Sequence, residues 1–343
     1  MLATADTTAS QLAPAEVAAE LQLAALTGLY KASADPLRLQ VLRVLKSDSF
    51  GVLELCSIFD IRQPALSHHL KVLAAAELVA TRREGNSIFY RRSELGQPGQ
   101  LQTLKQGIFS TVDQIELSAE IVANIANLQR QREANSRDFF RDNAHKFREQ
   151  QDLIASYQQY GATAAQVLAD APLQQWGTAL EVGPGDGEFL AQLSPRFERV
   201  VALDNSEQML ESAQNNAAAA GLTNITFIHG NTESDQLSGL QVDCVVINMV
   251  LHHTPSPAQV FSDISAILAP GGVVLVTDLC SHDQGWARAN CGDVWLGFEP
   301  KSLEQWAHDS GLEEITSVYL AQRNGFQIQV RLFGHPQPTR ENS

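Results

Sequence analysis

At 343 residues the chain is long enough for about two domains, and 44% hydrophobic against 18% charged residues gives each half material for a core. A formal net charge of −15 argues, taken whole, against a nucleic-acid partner. No apolar run of spanning length and no basic-then-apolar leader is present, so no membrane partner is expected and a cytoplasmic location is.

The charge is unevenly spread, however. Residues 25–95 hold ten Lys/Arg against seven Asp/Glu, whereas residues 177–343 hold seven against twenty. The two ends of the chain are therefore built for different partners. Four cysteines, Cys56, Cys244, Cys280 and Cys291, form no disulfide framework, and no C-x-x-C pair suggests structural zinc.

The first residues are Ala/Thr-rich and predict a frayed tail, followed by helical spacing from Pro14 to Tyr30. Asp35-Pro36 restarts a helix, because Asp caps well and Pro suits a first turn. Two short helices are predicted over 51–58 and 63–75. Val79–Tyr90 then reads as a hairpin turning at Glu84-Gly85-Asn86. Gly96-Gln97-Pro98-Gly99 breaks regular structure. From about 101 to 170 the reading is almost wholly helical, with an apolar stripe (Ile108, Val112, Ile115, Ile121, Val122, Ile125, Leu128) that needs a partner, either a second protomer or the neighbouring domain.

The segment 51–75 has helix–turn–helix form. Leu66, Leu70 and Leu73 anchor the second helix, leaving Gln63, Ser67, His68 and Lys71 on the opposite face, as base edges and phosphates require. Arg82, Arg83, Arg91 and Arg92 make the hairpin a cationic finger for backbone phosphates. The segments DPLRLQVLRVL, QPALSHHLKVLAAAELV and RREGNSIFYRR resemble the winged helix–turn–helix of ArsR/SmtB-type repressors. That resemblance implies a homodimer on an inverted-repeat operator in double-stranded DNA, Gln63–Val72 in the major groove and Arg82–Arg92 as the wing. Gly51 and Leu53 stand where arsenic-sensing members carry thiols, and Cys56 alone cannot hold a metalloid. Arg62 falls at the expected N-cap of the recognition helix, where it serves a phosphate instead.

After Trp176 the period changes. Ala179–Val182, Val200–Leu203, Ile225–Ile228, Val242–Asn248 and Val273–Asp278 are strand-like runs alternating with helices, and further strands are expected near 313–320 and 326–333. This predicts a doubly wound, Rossmann-like α/β sheet. Glu181 precedes Gly183-x-Gly185-x-Gly187, where the backbone bends sharply and lets a ligand approach. Asp204 ends the second strand, placed for a ribose diol. Asn231 after the third suits an adenine edge. Together with LAPGGVVLVTDL (268–279), these segments resemble a class I S-adenosylmethionine-dependent methyltransferase. The resemblance implies Glu181, Gly183, Gly185 and Gly187 around the methionine moiety, Asp204 on the ribose and Asn231 near adenine, with Asn205, Met209, Thr232 and Asn248 completing the site.

His252, His253 and Asp278 are the candidate catalytic residues, with His252-His253 either a general base or a structural turn. The segment 280–298 holds Trp286, Trp295 and Phe298, which either close over a ligand or pack on the sheet. Cys280, His282 and Cys291 would make a thiolate site only if folding joins them, and no metal is expected. The expected division is a tail and dimerisation helix (1–24), a winged helix–turn–helix (25–98), a helical linker (99–172) and a methyltransferase-like domain (173–335). The arrangement is similar to ArsR-type regulators with fused methyltransferase-like domains, which implies S-adenosylmethionine or S-adenosylhomocysteine as effector and control of methionine-cycle genes. The alternative is a working methyltransferase for a small molecule, with arsenite among its candidate acceptors.

Overall fold

The computed structural model describes residues 14–46, 48–84, 87–93, 95 and 99–336. The expected tail before Pro14, the hairpin tip at Gly85-Asn86 and the break at Gly96-Gln97-Pro98 lie outside them. The chain divides into two compact units, residues 1–125 and 126–343.

The N-terminal unit opens with α1 (Pro14–Ser33) and α2 (Pro36–Val44). Asp35 caps α2, its carboxylate accepting from the Arg38 backbone N–H at 2.9 Å, while Pro36 occupies a first-turn position that needs no N–H. Next come β1 (Phe50–Gly51), α3 (Val52–Phe59) and α4 (Gln63–Ala75). Helix α3 stops where Asp60 turns to φ 50°, and Arg62 is the N-cap of α4 with no side-chain capping bond. Leu66, Leu70 and Leu73 are fully buried with Leu42 and Leu55, so the predicted anchoring face of α4 is the observed one. The hairpin β2 (Val79–Glu84) and β3 (Ser87–Arg92) forms a three-stranded sheet in the order β1-β3-β2. The two-residue β1 was not expected; it pairs Phe50 with Tyr90 and ties down the base of the hairpin.

Helix α5 (Gln100–Val112) and the first turns of α6 (Ala119–Ile154) complete this unit. The helix predicted over 101–170 is thus broken at 113–118 and again at 155–156. Its stripe is divided as well: Val112 and Ile121 are buried, but Ile115 and Val122 remain 50% and 52% exposed.

The C-terminal unit continues α6 and adds α7 (Tyr157–Ala169), β4 (Thr178–Val182), α8 (Leu190–Leu193), β5 (Arg199–Asp204), α9 (Glu207–Ala219) and β6 (Ile225–His229). It ends with β7 (Val242–Asn248), α10 (Pro257–Ile267), β8 (Leu268–Leu279), α11 (Trp286–Cys291), α12 (Pro300–Asp309), β9 (Glu313–Ala321) and β10 (Gln327–Gly334). The seven strands lie in the order β6-β5-β4-β7-β8-β10-β9, parallel from β6 to β8, with β10 antiparallel between β8 and β9. This is the doubly wound α/β fold that the sequence predicts. The inner strands are covered on both faces, which explains their unbroken apolar runs. Successive strands move outward from β4 through β5 to β6, and the chain then returns to lay β7 on the other side of β4. That reversal opens a crevice at the carboxyl ends of β4 and β7, the usual ligand position in such sheets. Among the described residues no helix is long and apolar enough to cross a membrane.

Candidate functional site

A cavity of about 600 Å³ occupies that crevice. Its floor is the turn after β4. The Gly183 backbone N–H donates to the Leu203 carbonyl at 2.8 Å, and Gly187 N–H to Pro184 O at 2.8 Å. Gly183, Gly185 and Gly187 all have positive φ, at 63°, 56° and 80°, which explains the three glycines. They do different work. A Cβ on Gly183 would stand 2.5 Å from Val250 Cγ2, and one on Gly187 would press on Ala213 of α9, whereas a Cβ on Gly185 would meet nothing within 4 Å. Gly185 therefore keeps the cavity open, and Gly187 lets the turn pack on its helix. Of the ten residues expected at the cofactor, all but Gly187 line the cavity.

Glu181 is 1% exposed, and its Oε2 has no hydrogen-bond partner. Burial pushes its carboxyl up to about 8; the neighbouring Asn248 amide opposes this shift and the Asp204 carboxylate adds to it. The Asn248 amide is near enough to act on Glu181, yet neither of its atoms makes a hydrogen bond of good geometry. Buried polar groups are rarely left so, and a ligand with a cationic amine and polar edges would satisfy both residues. Met249 follows with φ 57°, rare for a side chain of its size, and its N–H bonds to Thr277 O at 2.7 Å. On the other rim, burial raises the Asp204 carboxyl to about 6, although Asp204 accepts from Ser206 N–H at 2.8 Å. Thr232 is already engaged, donating to Asp263 Oδ2 at 2.6 Å. The glycine cradle and the unsatisfied acid and amide fit an adenosyl amino acid.

The sequence reading missed one wall. Gln129, Arg130, Glu133 and Ser136 of α6 line the cavity, as do Tyr157 and Tyr160. Asn231 Nδ2 approaches Glu133 Oε1 at 3.5 Å, so the residue expected at adenine is also in touch with α6. Ser136 and Arg132 hold the following turn by donating to the carbonyls of His253 and Pro255. No periodicity signals a partner almost a hundred residues away in the chain.

The three candidate catalytic residues are separated by the fold. His253 borders the cavity, but His252 and Asp278 lie behind its wall, both fully buried. His252 Nδ1 is 2.7 Å from Asp278 Oδ1. Burial works against charge on His252, but the Asp278 and Asp293 carboxylates outweigh it and push the imidazole up to about 8. Burial, aided by His252, holds His253 well below the usual histidine range, so it is neutral. Segment 280–298 packs on the sheet instead of closing over a ligand. Cys280 bridges to Phe298, Trp295 donates to Thr254 O at 2.8 Å and lies under Arg132, and Trp286 packs edge-on against Phe326. None of the three aromatic residues lines the cavity. Burial raises the Cys280 and Cys291 thiols to about 11 and 12, so both stay protonated. Among the described residues the only close His/Cys/Asp/Glu group is His252, His253 and Asp293; Cys280, His282 and Cys291 do not converge.

On the N-terminal unit, Arg62, Gln63, His68 and Lys71 are exposed on α4, and Ser67 is half-buried beside them. The hairpin register pairs Arg82 with Phe89, Ala80 with Arg91 and Arg83 with Ile88. Arg82 and Arg91 therefore share one face and Arg83 takes the other. Arg92 does not join the cationic finger. Its guanidinium donates to Leu42 O and Asp113 Oδ1, both at 2.6 Å, and stacks on Phe109, because the base of the hairpin packs against α2 and α5.

Residues 180–276 match the family model described as a methyltransferase domain, and residues 35–81 match that of bacterial regulatory proteins of the arsR family. The biofilm growth-associated repressor of Agrobacterium fabrum is 48% identical over 66 residues, covering 19% of this chain and 56% of the relative. Demethylmenaquinone methyltransferase of Shouchella clausii is 30% identical over 125 residues, covering 36% and 53%. The tRNA 5-carboxymethoxyuridine methyltransferase of Escherichia coli O157:H7 is 29% identical over 165 residues, covering 45% and 62%. The matches thus span only 53% to 62% of these relatives' own lengths. The two ends of this chain resemble different proteins: residues 35–81 are similar to arsR-family regulatory proteins, and residues 180–276 to methyltransferase domains.

Proposed function

We propose that the chain is a homodimeric regulator that binds an inverted-repeat DNA operator and takes S-adenosylmethionine or S-adenosylhomocysteine as its effector. Glu181 and Asn248 receive the amino-acid end of the ligand, Gly183 and Gly185 admit its backbone-hugging portion, Asp204 holds the ribose and Asn231 the adenine. The observation that carries the effector reading is the share of α6 in the cavity wall. Helix α6 runs from Ala119 to Ile154 and its first turns belong to the N-terminal unit, yet Glu133 meets Asn231. A nucleoside at Asn231 competes for that contact and so biases α6. An effector shifts an equilibrium only by its differential affinity for the two states. The dimer draws support from apolar residues left on the N-terminal unit, with Leu21 and Leu23 of α1 exposed at 66% and 65%. The expected four-part division of the chain, with a helical linker over 99–172, belongs to this proposal.

The test begins with bound duplexes enriched from a random-sequence pool, then titrates the enriched duplex with each nucleoside at fixed salt. Coupling appears as a change in DNA affinity. Equal affinity at saturating concentrations of both nucleosides overturns the effector reading.

A second reading, catalysis, is favoured by one observation: His253 borders the cavity as a neutral imidazole. In that reading His253 takes a proton from a small acceptor while the cavity excludes water. Incubation with S-adenosylmethionine and cell extract distinguishes the two, since a sensor forms no S-adenosylhomocysteine.

A further inference from the structure

A second cluster, wholly within the C-terminal unit, starts at His253 on the cavity border and runs behind the wall to His252 and Asp293, which the nucleoside site does not use. The turn after β7 and the residues after α11 bring two imidazoles and a carboxylate together. His252 Nε2 is 4.0 Å and His253 Nδ1 3.8 Å from the same oxygen, Asp293 Oδ1; His253 Nδ1 also makes a long 3.4 Å hydrogen bond to the Gly292 carbonyl, which it must give up to take an ion. The two rings are tilted by 50° with their centroids 4.0 Å apart. His252 and Asp293 are 0% and 1% exposed. Neither Asp293 oxygen has a hydrogen-bond partner, nor does His252 Nε2. A buried carboxylate with no hydrogen-bond donor needs a positive partner, which is the His252 imidazolium in the ion-free chain and a bound cation once that proton is displaced.

The far side of His252 is fixed. Nδ1 faces Asp278 Oδ1 at 2.7 Å, and that oxygen also accepts from Leu279 N–H at 2.7 Å. The Val294 and Trp295 N–H groups both donate to the His252 carbonyl. The carboxylate on Nδ1 keeps a proton there, so when an ion displaces the Nε2 proton its lone pair faces Asp293, which is how proteins orient a metal-binding histidine. A direct His252–Asp293 hydrogen bond does not account for the group, because 4.0 Å is too long. The cation that acts most strongly on Asp293 is His252 itself, ahead of Arg288, whose guanidinium donates to Val294 O at 2.7 Å.

We propose that His252 Nε2, His253 Nδ1 and Asp293 hold a divalent first-row transition-metal ion of the zinc type, with Asp278 as the outer carboxylate behind His252. Two imidazoles and one carboxylate form a donor set suited to such ions. Tetrahedral zinc holds its nitrogen and oxygen ligands about 3.4 Å apart, so each imidazole nitrogen draws in toward Asp293 Oδ1 by about half an ångström. The ion joins the 280–298 segment, through Asp293, to the turn that walls the nucleoside cavity. It also occupies the nitrogen of His253 that faces Asp293, which weighs against that residue as a general base.

The full chain, stripped with a chelator, is dialysed against zinc and separately against cobalt(II). One ion per chain is expected, and the cobalt form should show ligand-field absorption without thiolate charge transfer. X-ray absorption of the zinc form should show a nitrogen/oxygen shell with imidazole scattering and no sulfur, a readout that needs only the wild type. Asp293→Asn should abolish stoichiometric uptake, Asp278→Asn should weaken it by about 10–100-fold, and Cys291→Ser should leave it unchanged. Circular dichroism checks that each variant folds. The proposal is overturned by failure of the wild type to retain one ion, by sulfur in the absorption shell, or by undiminished uptake in folded Asp293→Asn.

Discussion

Glu181 is the residue on which the pH behaviour of the proposed nucleoside site turns. Its folded value of about 8 lies above its unfolded value near 4.5. The stability it contributes is therefore complete below about pH 4.5 and is lost as pH rises through about 8. Glu181→Gln should remove that part of the pH slope, read as denaturation midpoints across this window; an unchanged slope would show that Glu181 is ionised when folded. Ligand binding couples to the same proton. A bound ammonium group favours the carboxylate, so affinity for S-adenosylhomocysteine should rise with pH up to about 8 in the wild type and stay flatter in Glu181→Gln. Calorimetry in buffers of different ionisation enthalpy reads the released proton directly. At Gly185 the open space around a Cβ and the tolerance of Asp for positive φ mean that Gly185→Asp should fold. The new carboxylate meets the ligand's own, and binding should weaken by about a hundredfold or more. The Glu-x-Gly-x-Gly-x-Gly spacing was legible in the sequence because each glycine answers a local backbone demand. The orphaned Asn248 amide and the positive φ of Met249 were not, since they arise from what surrounds β7.

At the scale of elements, the wing separates two kinds of arginine that look alike in sequence. Arg83 is exposed on one face of the hairpin, while Arg92 is bonded to Leu42 and Asp113 and stacked on Phe109. Arg83→Ala should lower the salt slope of DNA binding by about 1 with little effect on stability. Arg92→Ala should cost roughly 2 kcal/mol of stability, from the loss of charge-assisted bonds, and leave the slope nearly unchanged. Salt titrations and denaturation curves on both variants test this, and a reversal of the two outcomes would remove the wing from the interface. Ser67 is half-buried among the exposed polar residues of α4, so Ser67→Ala should alter preference among operators more than overall affinity. Strand positions were readable because strands covered on both faces carry unbroken apolar runs. The break in the long helix was not, because the polar and apolar residues at 113–118 suit a helix equally well.

Over the whole molecule, the proposed link between ligand and DNA rests on one long helix and on a proposed second copy of the chain. Leu21→Glu together with Leu23→Glu should shift the protein from dimer to monomer in light scattering and weaken operator binding, since a monomer grips one half-site. A variant that stays dimeric would place the interface elsewhere. Glu133→Ala should leave the DNA affinity of the ligand-free protein near its starting value while reducing the change that a nucleoside produces, measured by titrating the same duplex with and without ligand.

The sequence alone determined helix α4 and its anchoring leucines, the order of strands and helices, and the glycine turn with its flanking acids. Each of these depends on residues close together in the chain, where spacing and backbone preference speak directly. Tertiary structure alone decided that α6 walls the cavity, that Arg92 turns inward, that the 280–298 tryptophans pack on the sheet, and that His252, His253 and Asp293 converge. Those outcomes depend on which distant surfaces meet as the sheet closes over its helices, and local pattern carries no record of that.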